Sequence, residues 1–313
     1  VEIPIIIDGK EIKTGNIGNC VKPYDHAHVL GTYHKASEEE VKLAIESSLD
    51  AWNDWSQTSF EYRAKIFLKM AELLAGPHRD VVNASTMLNM SKNAYQAEID
   101  AACELIDFWN FNCWYAQEIY SQQPMYSPEG TNNQTEHRPL EGFVFAVTPF
   151  NFTSIAANLS TAPALMGNTA IWKPASSTVY PAYFLMKLFK EAGLPDGVIN
   201  LLPGSGSIIG NQVLSHPKLA GIHFTGSTGV FQSMWKHIGE NIKSYESYPR
   251  IVGETGGKDF CVAHESCNKE AFATAMTRGA FEFQGQKCSA MSRAYVPSTI
   301  WDDVKEMYIS QVN

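Results

Sequence analysis

Long hydrophobic runs are missing from this sequence: no stretch of 18 apolar residues occurs, so nothing in it reads as a membrane-spanning helix. Basic charge is scarce as well. Only 24 Lys and Arg stand against 33 Asp and Glu, a net charge of −9. Binding nucleic acid needs clustered Lys and Arg to neutralise phosphates, so no nucleic-acid partner is expected. The six cysteines (Cys20, Cys103, Cys113, Cys261, Cys267 and Cys288) form no CxxC pair, and no histidine stands at ligand spacing from them. A zinc site is therefore not expected, and in a chain of 313 residues these cysteines read as reduced thiols rather than a disulfide framework. There is no initiating Met, and no signal-like or Arg-rich leader precedes Val1; removal of a targeting peptide is compatible with such a start.

What is present is an ordinary globular balance, 44% hydrophobic and 18% charged, with length for about two domains. Ile5-Ile6-Ile7 followed by Asp8-Gly9 predicts a hairpin. Ser37-Glu38-Glu39-Glu40 is a capping-box start for a helix, and further helices are expected over Tyr62–Leu74 and Ala97–Tyr120. In the last of these, Phe108, Phe111 and Tyr115 recur at helical spacing, which predicts a core-facing stripe. Residues 121–139 are polar and rich in Pro, Asn and Thr, a loop or a protruding hairpin. Next, apolar strands at Phe143–Thr148, Thr169–Lys173, Ile199–Leu202 and Gly221–Phe224 alternate with helices at Ser154–Met166, Val179–Ala192 and Gly206–Ser215. That alternation implies a parallel, doubly wound α/β sheet, whose ligands bind at the carboxyl ends of the strands. Gly253–Asp259 breaks the pattern, and a helix over Asn268–Glu282 leads on to Cys288.

Four places carry candidate chemistry. Cys288 follows Gly285-Gln286-Lys287, a polar, backbone-exposed setting, and Glu254 lies 34 residues upstream in Glu254-Thr255-Gly256-Gly257-Lys258. A partly ionised thiol attacks a carbonyl, and a nearby carboxylate can later activate water. Phe224-Thr225-Gly226-Ser227-Thr228-Gly229 is a strand end running into a helix, where free N–H groups favour a pyrophosphate. Lys173, ending the second strand of the alternation, is placed to donate to ribose hydroxyls or phosphate. Asn151, in Pro149-Phe150-Asn151-Phe152, offers an amide donor for an oxyanion, or alternatively a cap for the helix from Ser154. By contrast, Gly204–Gly210 spaces its glycines as GxGxxxG and is a weak dinucleotide signal. His223, inside an apolar run, reads as a hydrogen-bonded core residue.

The ordered set Pro149–Phe152, Lys173–Ala175, Phe224–Thr228, Glu254–Lys258 and Gly285–Cys288 resembles the aldehyde dehydrogenase superfamily. The stretches Ala97–Phe108, Pro149–Thr153, Pro163–Asn168 and Gln284–Ala290 are similar to the branch that oxidises glutamate γ-semialdehyde to glutamate in proline catabolism. The resemblance implies a Rossmann-type parallel-sheet NAD domain over 1–265, interrupted by an oligomerisation hairpin about 121–139, and the start of an α/β catalytic domain over 266–313. NAD is the implied cofactor, with Lys173, Ser176, Gly226, Ser227, Thr228, Gly229 and Phe150 around it. Cys288 is the implied nucleophile, Asn151 the oxyanion donor, Glu254 the base that activates water, and Ser289 a holder of the substrate carboxylate. Serine at 176 departs from the glutamate many members use to grip the adenosine ribose, which puts strict NAD selectivity in doubt. The implied partner is a small-molecule substrate, the assembly a homodimer or dimer of dimers, and the compartment the mitochondrial matrix, with the cytoplasm as the alternative. Within the hairpin, Thr131–Arg138 is expected to supply a strand, with Pro128–Gly130 as its turn. Members of the superfamily continue for about another domain beyond the point matching Asn313. This chain is therefore expected to be a piece of a longer protein, Trp301–Asn313 reading as a helix without a capping signal. The alternatives are an enzyme for another aldehyde, or a non-catalytic form.

Overall fold

The computed structural model describes residues 1–313, which fold as two compact units, Val1–Gly253 and Glu254–Asn313. The larger unit opens with five strands: β1 (Glu2–Ile3), β2 (Ile5–Ile7), β3 (Lys10–Ile12), β4 (Ile17–Lys22) and β5 (Asp25–His34). Between β2 and β3, Asp8 and Gly9 both take positive φ, 53° and 66°, as a two-residue type I′ turn needs. Helices α1 (Glu38–Trp55), α2 (Phe60–Ala75) and α3 (Arg79–Met90) follow. The capping box at Ser37 forms as expected: Glu40 accepts from the Ser37 backbone N–H at 2.8 Å while Ser37 caps the helix start. Next come α4 (Ala94–Ala97), a π turn over Glu98–Cys103, and α5 (Glu104–Ser121).

The alternating part consists of β6 (Phe143–Val147), α6 (Thr153–Leu165), β7 (Thr169–Lys173), α7 (Val179–Glu191), β8 (Ile199–Leu201), α8 (Gly206–Leu214), β9 (Leu219–Thr225), α9 (Thr228–Glu240) and β10 (Arg250–Glu254). A seven-stranded sheet has the order β10-β9-β6-β7-β8-β2-β3, in which β9, β6, β7 and β8 are mutually parallel and the β2–β3 hairpin adds antiparallel at one edge. Strands covered on both faces should be apolar throughout, and β6 and β7 are buried along four consecutive residues. Successive side chains serve opposite cores. Ala170 and Trp172 pack with α2, α5, α6 and α7, while Ile171 packs with Phe143, Phe145 and the inner faces of α1, α8 and α9. The buried indoles are satisfied: Trp172 donates to Thr148 Oγ1 at 3.0 Å, Trp109 to Thr161 Oγ1 at 3.0 Å and Trp55 to the Ala164 carbonyl at 2.9 Å. A second sheet, β1-β5-β4, packs Ile3, Cys20 and Tyr33 against Val179 and Tyr183 of α7.

Two expectations fail here. Phe111 and Tyr115 are exposed, at 56% and 55%, because α5 turns Leu105, Trp109, Cys113 and Ala116 to the core instead. Residues 122–139 hold no strand. The turn forms, with Thr131 N–H donating to the Pro128 carbonyl at 3.1 Å, and two arms run back along each other. Side chains tie those arms where ladder bonds would be: Thr135 N–H to Gln123 Oε1 at 2.8 Å, and Asn133 N–H to Ser127 Oγ at 2.9 Å. Two arms exposed on every side have no apolar face to bury, and such a hairpin is marginal alone.

The smaller unit has a parallel pair, β11 (Asp259–Val262) and β12 (Met291–Tyr295), with α10 (Lys269–Phe281) and α11 (Ser298–Val312). Its core is small: Ala263, Met276, Ile300 and Val304, with a few half-buried neighbours. No helix of the chain is long and apolar enough to cross a membrane.

Candidate active site

In the larger unit the strand order reverses at β6, where β7 lies on one side and β9 on the other, and a cavity of about 460 Å³ opens beyond the carboxyl ends of these strands. Crevices at such reversals are where open α/β sheets bind ligands. The cavity floor is apolar, from Phe145, Val147, Phe224, Val230 and Met234, and its rim holds Pro149, Phe150, Lys173, Thr225, Gly226 and Ser227. Ser227 caps α9, its hydroxyl accepting from Val230 N–H at 3.4 Å. The remaining N–H groups of that first turn, which includes Thr228 and Gly229, have no partner within the helix. A Cβ at Gly226 would stand 2.7 Å from the Phe224 ring, which would have to shift to admit it. Lys173 is half-buried and has no carboxylate beside it; burial holds its ammonium pKa below the usual value.

The weak glycine run contributes after all. Gly206 and Ser207, the first turn of α8, line the same cavity, so two helix starts face one groove. No motif spacing reveals this; the sheet order that sets β8 two strands from β6 does. Thr228, Gly229 and Ser176 are absent from the lining. Ser176 instead donates toward the Gly204 carbonyl at 3.5 Å and bonds the Tyr33 hydroxyl. Asn151 stands on the loop between β6 and α6, and the N-cap of α6 is Phe152, so Asn151 is not the cap residue. His223 is a structural group, its Nδ1 3.0 Å from the Leu159 carbonyl.

In the smaller unit, Cys288 and Glu254 come together: the thiol hydrogen-bonds the Glu254 carboxylate, and the backbone N–H groups of Ser289 and Cys288 point at the sulfur. Burial and that carboxylate push the thiol up to about 11, outweighing the two N–H groups that favour the thiolate. This corrects the expectation of a partly ionised thiol. Little thiolate is therefore present near neutral pH, and a nucleophilic role for Cys288 would need its proton to be taken up first.

The backbone around Cys288 is unusual. Phe283, Gln284 and Gly285 take left-handed conformations in succession, at φ 51°, 55° and 68°, a costly arrangement for the first two. Gln286 N–H closes the bend on the Phe283 carbonyl at 3.0 Å, and the buried Phe283 ring anchors it. Gly257, three residues after Glu254, passes so close that a Cβ would collide with the Cys288 carbonyl oxygen. That close approach seats the Cys288 turn against the loop bearing Glu254. Ser289 is exposed beside it. The other cysteines are free thiols; burial drives Cys20 to about 12 and Cys113 to about 11.

The larger unit thus has a parallel sheet with a groove between two helix starts at its switch point, and the smaller unit, next in sequence, has a thiol hydrogen-bonded to a carboxylate. Residues 12–313 match the aldehyde dehydrogenase family, and the chain belongs to it. Among curated relatives, the mitochondrial delta-1-pyrroline-5-carboxylate dehydrogenase of Dictyostelium discoideum is 50% identical over 100% of this chain and 56% of its own length. The mitochondrial human protein of that name is 43% identical over 97% of this chain and 54% of its own. The delta-pyrroline-5-carboxylate dehydrogenase of Mycobacterium tuberculosis, solved with NAD bound, superposes with a TM-score of 0.95 at 50% identity, over 99% of this chain and 58% of that one. The chain thus spans about half the length of the curated relatives it matches.

Proposed function

We propose that the protein to which this chain belongs oxidises L-glutamate γ-semialdehyde, the open form of Δ1-pyrroline-5-carboxylate, to L-glutamate with NAD, a step of proline catabolism. The observation that carries the reading is the Cys288 thiol hydrogen-bonded to Glu254, with backbone N–H groups on its sulfur. Loss of the thiol proton to solvent leaves a thiolate, which bonds to the aldehyde carbon and makes the carbonyl oxygen an oxyanion. Asn151 is the amide donor the family resemblance assigns to that oxyanion, with the Cys288 N–H as the second donor. When bound, NAD supplies the hydride acceptor, and a thioester remains on Cys288. Glu254 then takes a proton from water; hydroxide attacks the thioester carbon, the C–S bond breaks and glutamate leaves.

The cavity in the larger unit fits a dinucleotide: its apolar floor suits adenine, and the Gly226–Ser227 and Gly206–Ser207 helix starts suit a pyrophosphate. Lys173 gains a partner there in a ribose hydroxyl or a phosphate oxygen. Because Ser176 carries no carboxylate to repel a 2′-phosphate, NAD should be preferred over NADP only modestly, by less than about a thousandfold in kcat/KM (~4 kcal/mol). A larger ratio would mean that another residue reads the ribose. Ser289 is assigned to the substrate carboxylate, as a hydroxyl donor beside the nucleophile. NADH formation by the full-length enzyme across an aldehyde panel tests the reading; faster turnover of propanal than of glutamate semialdehyde would reject the substrate.

A further inference from the structure

Beneath the loop that carries Asn151 lies a buried ionic cluster that the chemistry above does not use. Helix α3 ends at Ser91 in the left-handed conformation (φ 58°, ψ 40°), and Lys92 follows, its side chain 0% exposed. Its Nζ lies 2.5 Å from Oδ2 of Asp100, itself 2% exposed. Asp100 sits in the π turn, which buries Asp100, Ala101 and Ala102 one after another. The same Nζ stands 4.4 Å from the centre of the Phe152 ring, which is buried. The next two residues are held from the same side. Thr153 Oγ1 bonds Thr86 Oγ1 at 2.7 Å, and Ser154 Oγ donates to the Asp100 carbonyl at 2.8 Å and also meets the Glu104 carboxylate.

A buried ion pair is a poor source of stability, since desolvation offsets its attraction and an apolar pair of similar size often does as well. What the pair supplies is a fixed charge facing an aromatic ring. We propose that Lys92 and Asp100 are positioning residues for the reaction: their ion pair holds Phe152, and through the adjoining peptide Asn151, in a single conformation. The catalytic part of this inference rests on the oxidation proposed above; the conformational part does not.

Lys92→Met alone strands a buried carboxylate and can unfold the chain, so the decisive variant is the double exchange Lys92→Met with Asp100→Leu, made in the full-length protein. If the pair serves stability alone, the double exchange restores everything. The positioning role predicts a melting temperature near wild type and KM for NAD within about twofold, yet kcat lowered roughly tenfold to a hundredfold. It also predicts that amide hydrogen exchange at Phe150–Thr153 quickens by about tenfold or more while the rest of α6 stays protected. Exchange within about twofold of wild type, or quickened exchange with unchanged kcat, overturns the inference. Quickened exchange in a protein whose wild type forms no NADH upholds the conformational part and sinks the oxidation reading instead.

Discussion

The two units hold their functional residues by opposite means. In Val1–Gly253 the groove is built from backbone donors at helix starts, set on strands buried on both faces and flanked by two large cores. In Glu254–Asn313 the thiol sits on a bend of three left-handed residues over a core of four small and medium side chains. A binding groove needs donors presented outward from something stiff, and a twisted sheet supplies that without strain. The proposed nucleophile follows one particular local backbone, in which Phe283 and Gln284 carry strain of about 1–3 kcal/mol per residue. Changes in the smaller unit should therefore abolish chemistry and spare NAD binding, and changes at the groove should do the reverse.

The sharpest break in that division would come from Cys288→Ala. NADH formation from pyrroline-5-carboxylate should fall to background while NAD affinity, followed by titration of protein fluorescence, stays within about twofold of wild type. Undiminished turnover would reject Cys288 as nucleophile; lost affinity would show that the units do not divide the work. Next in size is Gly257→Ala. The added methyl meets the Cys288 carbonyl oxygen, a backbone atom that cannot swing aside as a side chain can, and Asp259 Oδ2 at 2.5 Å. The Cys288 turn must shift, and kcat should drop about a hundredfold with little change in KM for NAD. A kcat near wild type would mean that the close approach plays no part in seating the thiol.

Gly226→Val tests the other side. Its Cβ would press on the Phe224 ring, which stacks on Phe231 at 5.4 Å between centroids and lines the cavity. Moving that ring narrows the groove, so KM for NAD should rise by about tenfold or more while kcat at saturation changes little. If KM barely moves, the pyrophosphate is seated by Gly206 and Ser207 instead.

How much of this was legible beforehand follows the same division. The β/α alternation of the larger unit was read to within a residue or two, because doubly buried strands are apolar runs and their helices keep a regular period. Helix α3 was not read. Its N-cap is His78, which makes no side-chain cap bond, and its composition is not apolar enough to stand out. The β4–β5 pair was missed as well, since β4 alternates buried and exposed residues only briefly and β5 is exposed over its first half. The π turn is invisible to a 3.6-residue period. At the site, residue types and order pointed to Cys288, Glu254 and Gly226, but not to the ionisation of the thiol. That depends on which groups lie against the sulfur, and only folding sets the carboxylate against it.

The smallest expected effect isolates that point. Glu254 raises the Cys288 pKa both by accepting its hydrogen bond and by its charge. In Glu254→Gln the charge is removed, while the amide oxygen can still accept the thiol's hydrogen bond and burial still acts, so the pKa should fall from about 11 part of the way toward the ordinary thiol value of 9.0. The sign follows from which form is favoured: a carboxylate beside a thiol opposes the thiolate, so removing it increases the thiolate fraction at every pH below the pKa. Alkylation of Cys288 by iodoacetamide at pH 8, followed on its peptide by mass spectrometry, should quicken several-fold in Glu254→Gln, up to about tenfold for each pKa unit recovered. The wild-type rate should go on climbing as pH approaches about 11, whereas the variant's profile should level off earlier. Slower alkylation in Glu254→Gln would show that the carboxylate draws the proton away from sulfur more than its charge holds it there. Glu254 would then be the base that generates the nucleophile as well as the one that activates water.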